Sequence, residues 1–379
     1  VRRVVADGGM GRVYEALDIS TQRRAALKVL HNDVARDAVA LQRFKREYAI
    51  SQLLPHEHIV EVFDFLKLAD GGHLLAMEYL EGEELRSLLK RETTLRPARL
   101  VRMLSQIAIG LDEAHRRQLI HRDLKPDNIF LCGTRDGDMV KLLDFGSVKD
   151  KSEGAKKLTV MGTTIGSPYY MSPEQAQGLD SLDARADVWA LAAISYEALA
   201  GKVPFSGNNG PSILLAILAQ QPLPASMVAS STPSARPIPL GVDDVLMEAL
   251  AKDPARRIGS VGALADRLGS AYGLQGEHRQ WATAPQATLE AAIENAMPTL
   301  LANRKVTGKA EADPFANLPV APRPPAWPTG VSEPAQPVGQ TTGEMAAAFA
   351  PKGPPWLAIV GALVCLVLVT AGVLYLVMR

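Results

Sequence analysis

His121-Arg122-Asp123-Leu124-Lys125-Pro126-Asp127-Asn128, followed downstream by Leu142-Leu143-Asp144-Phe145-Gly146, is the stretch on which the reading of this chain turns. The first string packs four charged residues, a histidine and an amide into eight positions, and the second sets Asp144 and Gly146 in an otherwise apolar run. Upstream of them, Val4-Val5 and Val13-Tyr14 flank a Gly-rich turn, Ala25 to Leu30 reads as a third strand, and Leu74 to Met77 as a later one. Between these strands Leu41, Phe44 and Tyr48 recur at helical spacing and predict one amphipathic helix. After about residue 95 helices take over: Leu100, Leu104, Ile107 and Leu111 make one apolar face, and Val188, Leu191, Ile194 and Leu199 another. A small, mainly β lobe followed by a larger helical lobe leaves a cleft between them, a typical location for a ligand.

The bulk numbers narrow the field. The 41 basic and 41 acidic residues cancel, and no block of like charge suggests a nucleic-acid arm, so no nucleic-acid partner is expected. Two cysteines, Cys132 and Cys365, rule out a disulfide framework and lack the spaced partners of a zinc site. The sequence starts at Val1 rather than Met, compatible with a fragment or a misread start, and shows no signal-peptide pattern before the Gly-rich turn. From 271 to 355 the composition becomes Pro- and Ala-rich, as in Ala321-Pro322-Arg323-Pro324-Pro325-Ala326-Trp327-Pro328. Most of this stretch is expected to be a disordered juxtamembrane linker, with Thr288 to Leu301 as a short helix. Residues 356–378 are uncharged and rich in Leu, Val and Ala. About 22 such residues at 1.5 Å each span roughly 33 Å, enough for a hydrocarbon core. Trp356 and Tyr375 near its ends suit the interface, so one transmembrane helix in contact with membrane lipid is expected. Only Arg379 follows it, and no extracytoplasmic sensor is expected in this chain.

The Gly-rich turn is Ala6-Asp7-Gly8-Gly9-Met10-Gly11. Such a segment lets backbone N–H groups approach phosphate oxygens, although taken alone it is more often merely a tight turn. The strand-like Arg12-Val13-Tyr14 after it separates it from a dinucleotide fingerprint, which would open a helix. Lys28 in Ala26-Leu27-Lys28 is either an edge lysine or a phosphate cation needing a carboxylate, and Glu47 on the following helix is available. The two opening strings settle these readings, because there the chain resembles the catalytic and metal-binding loops of the protein kinase family.

The resemblance covers about residues 1 to 270. It implies an α+β bilobal protein kinase fold, with a β-rich N-lobe over about 1–80 and a helical C-lobe over 81–270. Asp123 is then the carboxylate for the acceptor hydroxyl, with Lys125 beside it. Asn128 and Asp144 are the ligands of Mg²⁺ (or Mn²⁺), and Lys28 and Glu47 the phosphate-anchoring pair. Ala6, Asp7, Gly8, Gly9, Gly11 and Val13 would lie over ATP, Ala26 against the adenine, and Glu78 and Leu80 in the hinge. Glu174, in Ser172-Pro173-Glu174, would pair with Arg257, and Asp187 would start the helix supporting the catalytic loop. Arg122 would bind an activation segment phosphorylated at Thr159, Thr163 or Thr164. Lys125 and Gly166-Ser167-Pro168-Tyr169-Tyr170 resemble the Ser/Thr class, and Gly8-Gly9-Met10-Gly11-Arg12-Val13-Tyr14 its bacterial eukaryotic-type branch, many of whose members carry one membrane helix.

The implied function is phosphorylation of Ser/Thr on protein substrates, autophosphorylation included, by a kinase domain on the cytoplasmic side of the inner cell membrane, with kinase–kinase dimers as a further partner. Ala6 departs from the family's first glycine. The rivals are a nucleotide-binding pseudokinase scaffold, which usually loses residues of the Lys28, Asp123 or Asp144 type, and a small-molecule kinase, which lacks the Ser-Pro-Glu platform. Pro222 to Pro239 is expected as a mobile loop, and His56-Glu57-His58 as a turn without metal.

Overall fold

The computed structural model describes residues 1–8, 11–31, 37–69, 71–145, 168–179 and 181–307. Strands β1 (Arg3–Asp7), β2 (Gly11–Leu17), β3 (Arg24–Leu30), β4 (Val62–Lys67) and β5 (His73–Glu78) form one antiparallel sheet in the order β1-β2-β3-β5-β4. Helix α1 (Ala38–Leu53) starts at Asp37, whose side chain accepts the Val39 N–H at 2.8 Å and satisfies one of the donors a helix start leaves open. Its Phe44 is buried with Leu30, Val62 and Leu75, and its Leu41 and Tyr48 pack beside them. Phe44 meets Phe65 edge-on at 6.1 Å. Strand β4 carries no clean alternation in sequence, and it joins the sheet because Val62 and Phe65 complete this core.

The second lobe is built around helix α5 (Arg185–Ala200), in which fourteen of the sixteen residues are buried. A helix apolar on all sides must lie inside a domain. Its alanines (Ala186, Ala190, Ala192, Ala193, Ala198 and Ala200) let neighbours approach closely. Helices α2 (Leu85–Glu92), α3 (Pro97–Arg116), α6 (Gly210–Ala219), α7 (Ala225–Ala229), α8 (Leu240–Ala249) and α9 (Val261–Ala271) share its core, and α4 (Pro173–Ala176) is a single turn. Helix α5 stops at Gly201, whose φ of 75° suits glycine, and a Cβ there would press on Thr93 and Thr232. A small antiparallel sheet, β6 (Gly82–Glu84), β7 (Ile129–Thr134) and β8 (Gly137–Leu142), lies between the lobes. It spans from just after the first sheet to the two chemistry-bearing strings, which sit before β7 and after β8.

Two stretches depart from the sequence expectation. Pro222 to Pro239 holds helix α7, with Ala225, Ala229 and Ile238 buried and the Asp243 carboxylate accepting the Ser226 N–H at 2.9 Å. Two alanines and a single isoleucine pack there, too few large aliphatics to mark a core segment in sequence. Residues 271–307, read as the start of a disordered linker, carry α10 (His278–Thr283) and α11 (Gln286–Thr307), and the helix expected over Thr288 to Leu301 lies inside α11. Trp281, Leu289 and Ile293 are buried against the second lobe. The Trp281 ring lies over Gly269, where an added Cβ would come within 2.0 Å of it. Polar contacts lock the same surface: Gln106 donates to the Ala282 and Asp138 carbonyls at 3.1 and 3.0 Å, and Arg102 to the Ala284 carbonyl at 2.9 Å. The Pro/Ala average over 271–355 hid these three large residues. The rest of the linker, the 356–378 segment, Gly9, Gly146, Thr159, Thr163, Thr164, Gly166 and Ser167 lie outside the described residues. Among the described residues no helix is long and apolar enough to cross a membrane.

Replacing Trp281 by Ala removes a buried indole and should cost about 3–5 kcal/mol of stability, read as a lower urea midpoint with an unchanged slope. A loss below about 1 kcal/mol would place α10 and α11 outside the cooperative unit.

Candidate active site

Alternation along β3 puts Ala26 and Lys28 on one face, toward the cleft between the lobes. The cleft measures about 790 Å³. Lys28 donates to both oxygens of Glu47 on α1, at 3.1 and 2.8 Å. Burial works against the Lys28 charge, but the Glu47 and Asp144 carboxylates more than offset it and hold its pKa above the ordinary lysine value. Ala6, Val13, Ala26, Glu78, Leu80, Asn128 and Asp144 line the same space. The apolar wall is completed by Val60, Met77, Phe130 and Leu143, which the sequence reading did not single out. Phe130 is the second residue of β7, directly after the 3₁₀ turn that ends at Asn128.

The glycine turn is less uniform than its sequence suggests. Asp7 is exposed and paired with Arg12 at 2.6 Å, which lowers its carboxyl pKa. Gly8 donates to the Gly11 carbonyl at 3.0 Å. An added Cβ on Gly11 would lie 2.2 Å from the Val29 carbonyl oxygen, so this glycine is required by the close approach of the β2 backbone to its neighbour β3 in the sheet. In the hinge, the Glu78 carboxylate is taken by Lys141 at 2.6 Å and by the Glu61 N–H at 2.8 Å. The side chain ties β5 to β8 and to the turn before β4.

The string from His121 to Asn128 is held from beneath. Asp187, fully inside the second lobe, accepts the N–H groups of His121 and Arg122 at 2.9 and 3.0 Å and bonds His115 at 2.7 Å. Burial pushes its carboxyl pKa up, and the hydrogen bonds outweigh that, so the group sits below its ordinary value and stays ionised. Arg122 and Asp144 have φ of 67° and 57°, a region that side-chain-bearing residues enter at a cost of order 1–3 kcal/mol. The surroundings over-determine both. The Arg122 carbonyl accepts from Gln175 at 2.7 Å. Around Asp144, Leu143 donates to the Asn128 carbonyl at 2.9 Å, and the Phe145 ring meets His121 edge-on at 4.7 Å.

These constraints bring the expected groups together. Lys125 Nζ lies 2.7 Å from Asp123 Oδ2. Asn128 Nδ2 donates to the Asp123 carbonyl at 2.7 Å, leaving Oδ1 as the amide atom for a cation. Asn128 and Asp144 are two oxygen donors on one cleft, a set that fits Mg²⁺, which takes one or two protein oxygens and completes its shell with phosphate and water. Glu174 and Arg257 form a buried bidentate pair, both contacts at 2.6 Å, and Arg257 also donates to the carbonyls of Ala251, Lys252 and Arg185. This pair fixes the turn after Ser172 to the foot of α5. Arg122 Nε is buried and has no hydrogen-bond partner among the described residues. His58 is buried, with its ring nitrogen 3.0 Å from the Val140 carbonyl, and serves packing. His115 and Gln175 were missed in sequence. Each acts through a contact across the fold, and neither carries a local signal.

The protein kinase domain family matches residues 1–268. The chain is 36% identical over 289 residues to the serine/threonine-protein kinase pkn3 of Myxococcus xanthus, covering 76% of this chain and 51% of that protein. It is 36% identical over 259 residues to the serine/threonine-protein kinase PknB of Mycobacterium tuberculosis, covering 67% and 40%. Among solved structures, the kinase domain of Mycobacterium tuberculosis PknI superposes with a TM-score of 0.53 at 30% identity, covering 71% of this chain and 93% of that one. The chain spans about half or less of the length of these curated relatives.

Proposed function

Because the chain belongs to the protein kinase family, with a domain of the serine/threonine class, we propose that it transfers the γ-phosphoryl group of ATP to serine and threonine hydroxyls of proteins. The observation that carries this reading is the meeting of Lys28–Glu47, Asn128 and Asp144 in one cleft, with Asp123 hydrogen-bonded to Asn128 at its edge. Asp123 is placed to accept the hydrogen bond of an incoming hydroxyl and orient it. Lys125, 2.7 Å from that carboxylate, adds positive charge where phosphate negative charge would gather. Lys28, kept protonated by Glu47 and Asp144, offers a cation to the phosphates from the other lobe. A divalent cation on Asn128 and Asp144, Mg²⁺ or Mn²⁺, would neutralise the remaining phosphate charge. Val13, Ala26, Met77 and Phe130 supply apolar walls for the base.

Autophosphorylation is part of the same proposal. The unpartnered, buried Nε of Arg122 supports it, since a phosphate on Thr159, Thr163 or Thr164 would supply the missing acceptor. The uncharged run at 356–378 supports a single membrane span, with the ATP-using domain on the cytoplasmic side of the inner membrane and the segment before it as a tether. A tether raises the effective concentration of neighbouring copies and of substrates at the membrane, which suits signalling.

The test is incorporation of label from γ-labelled ATP with Mg²⁺ into the purified chain and a generic protein acceptor, beside Asp123→Asn. Label on serine or threonine that falls by at least about 10²-fold in the variant is expected. No transfer by wild type despite measured ATP binding would sink the proposal.

A further inference from the structure

Beside the catalytic loop, one arginine is spent inside the molecule. Arg86, the second residue of α2, donates to Glu197 Oε1 at 2.9 Å and lies 3.4 Å from Asp127 Oδ2. It also donates to the Tyr170 hydroxyl, which in turn donates to Glu197 Oε2 at 2.5 Å. The guanidinium sits over the Tyr170 ring, 5.6 Å from its centroid. Burial and Glu197 hold the Tyr170 phenol well above its ordinary pKa, so it remains an O–H donor. The side chains of Arg86 and Glu197 are only 21% and 13% exposed, against 47% for Asp127.

The place matters more than the pair. Asp127 belongs to the 3₁₀ turn directly after Asp123 and Lys125, and with Glu84 it lines the mouth of the nucleotide cleft. Tyr170 leads into Met171-Ser172-Pro173-Glu174, the turn anchored by Arg257. An acceptor segment whose hydroxyl reaches Asp123 must pass between these elements. The carboxylates of Asp127 and Glu197 would draw a cation from that segment if they were free. One guanidinium already partners both from within, through Nη1 on Glu197 and Nε on Asp127, and leaves the pair with one net negative charge instead of two.

Resting on the reading of the domain as a protein Ser/Thr kinase, we propose that Arg86 sets its acceptor preference. By occupying Asp127 and Glu197 beside the catalytic aspartate, it takes the position a substrate arginine would fill. The substrates are therefore acceptor segments that need no basic residue near the phosphorylated hydroxyl.

The experiment compares wild type and Arg86→Ala on a degenerate peptide library with a fixed central serine or threonine. In parallel, fluorescence anisotropy measures binding of a labelled peptide with arginines flanking an alanine in place of the acceptor. Wild type should select arginine or lysine by no more than about two-fold at any flanking position. Arg86→Ala should select arginine by about ten-fold at one or two positions and bind the labelled peptide correspondingly tighter, because the freed carboxylates then need a partner. Wild type that itself selects arginine about ten-fold would overturn the proposal, and this outcome does not depend on the variant folding. A folded Arg86→Ala, by its melting curve, with the wild-type profile would also overturn it. If neither protein transfers phosphate to any peptide, the kinase reading fails, and the binding measurement still decides the role of Arg86.

Discussion

A single buried carboxylate underlies the working parts of this molecule. Asp187 accepts two backbone N–H groups from the catalytic loop and is matched by His115 on α3, so a charge that would be costly alone in the interior becomes an anchor for two elements. It stabilises the loop in the conformation in which Arg122 takes a positive φ and Asp123 follows it. Asn128 then closes the loop on itself through the Asp123 carbonyl, and the Asn128 carbonyl ties it to Leu143, next to Asp144. Because α5 is buried on nearly every side, the anchor cannot drift, and the strain at Arg122 and Asp144 is borne by a rigid helix.

The same logic recurs at each joint. Arg257 donates two charge-assisted hydrogen bonds to Glu174 inside the second lobe, with the guanidinium 5.0 Å from the Trp189 ring centroid. Lys28 and Glu47 join the sheet to α1 in the first lobe. Glu78 and Lys141 join the hinge to β8. Removing Glu174 would leave the fully buried Arg257 charge without its carboxylate, which makes alternative arrangements there expensive; Lys28 keeps Asp144 nearby and Glu78 keeps the Glu61 N–H. Packing builds the two lobes, and paired charges set how the chemical groups face one another across the cleft.

Much of this was legible in the sequence, for a physical reason. Phosphoryl transfer would constrain residue type and spacing within two short strings, so Asp123, Lys125, Asn128 and Asp144 announce themselves locally. An apolar run marks the strand of Lys28, and the spacing of Leu41, Phe44 and Tyr48 marks the helix of Glu47. What stayed hidden depends on contacts across the fold. His115 looks like any residue in the last turn of a helix, and only its distance to Asp187 gives it a role. Gln175 caps the turn at Ser172 and also braces the Arg122 carbonyl, a contact with a residue far away in sequence. Gly11 looked like a phosphate-loop glycine, and its need for an absent side chain comes from Val29 on the next strand. The extension through α10 and α11 was masked because Trp281, Leu289 and Ile293 are few among many alanines and prolines, although all three are buried in the core of the second lobe and Trp281 lies over Gly269.

The most direct check on the role given to Asp187 is the steady-state kinetics of Asp187→Asn, measured beside its melting curve. The asparagine keeps the shape and loses the charge, and it turns an N–H₂ group toward donors. With the fold retained, kcat should fall by about 10²-fold through misplacement of Asp123, while the KM for ATP stays within about three-fold because Lys28 and the apolar walls are untouched. A folded Asp187→Asn with unchanged kcat would contradict the account, since the catalytic loop would then hold its geometry without the buried anion beneath it.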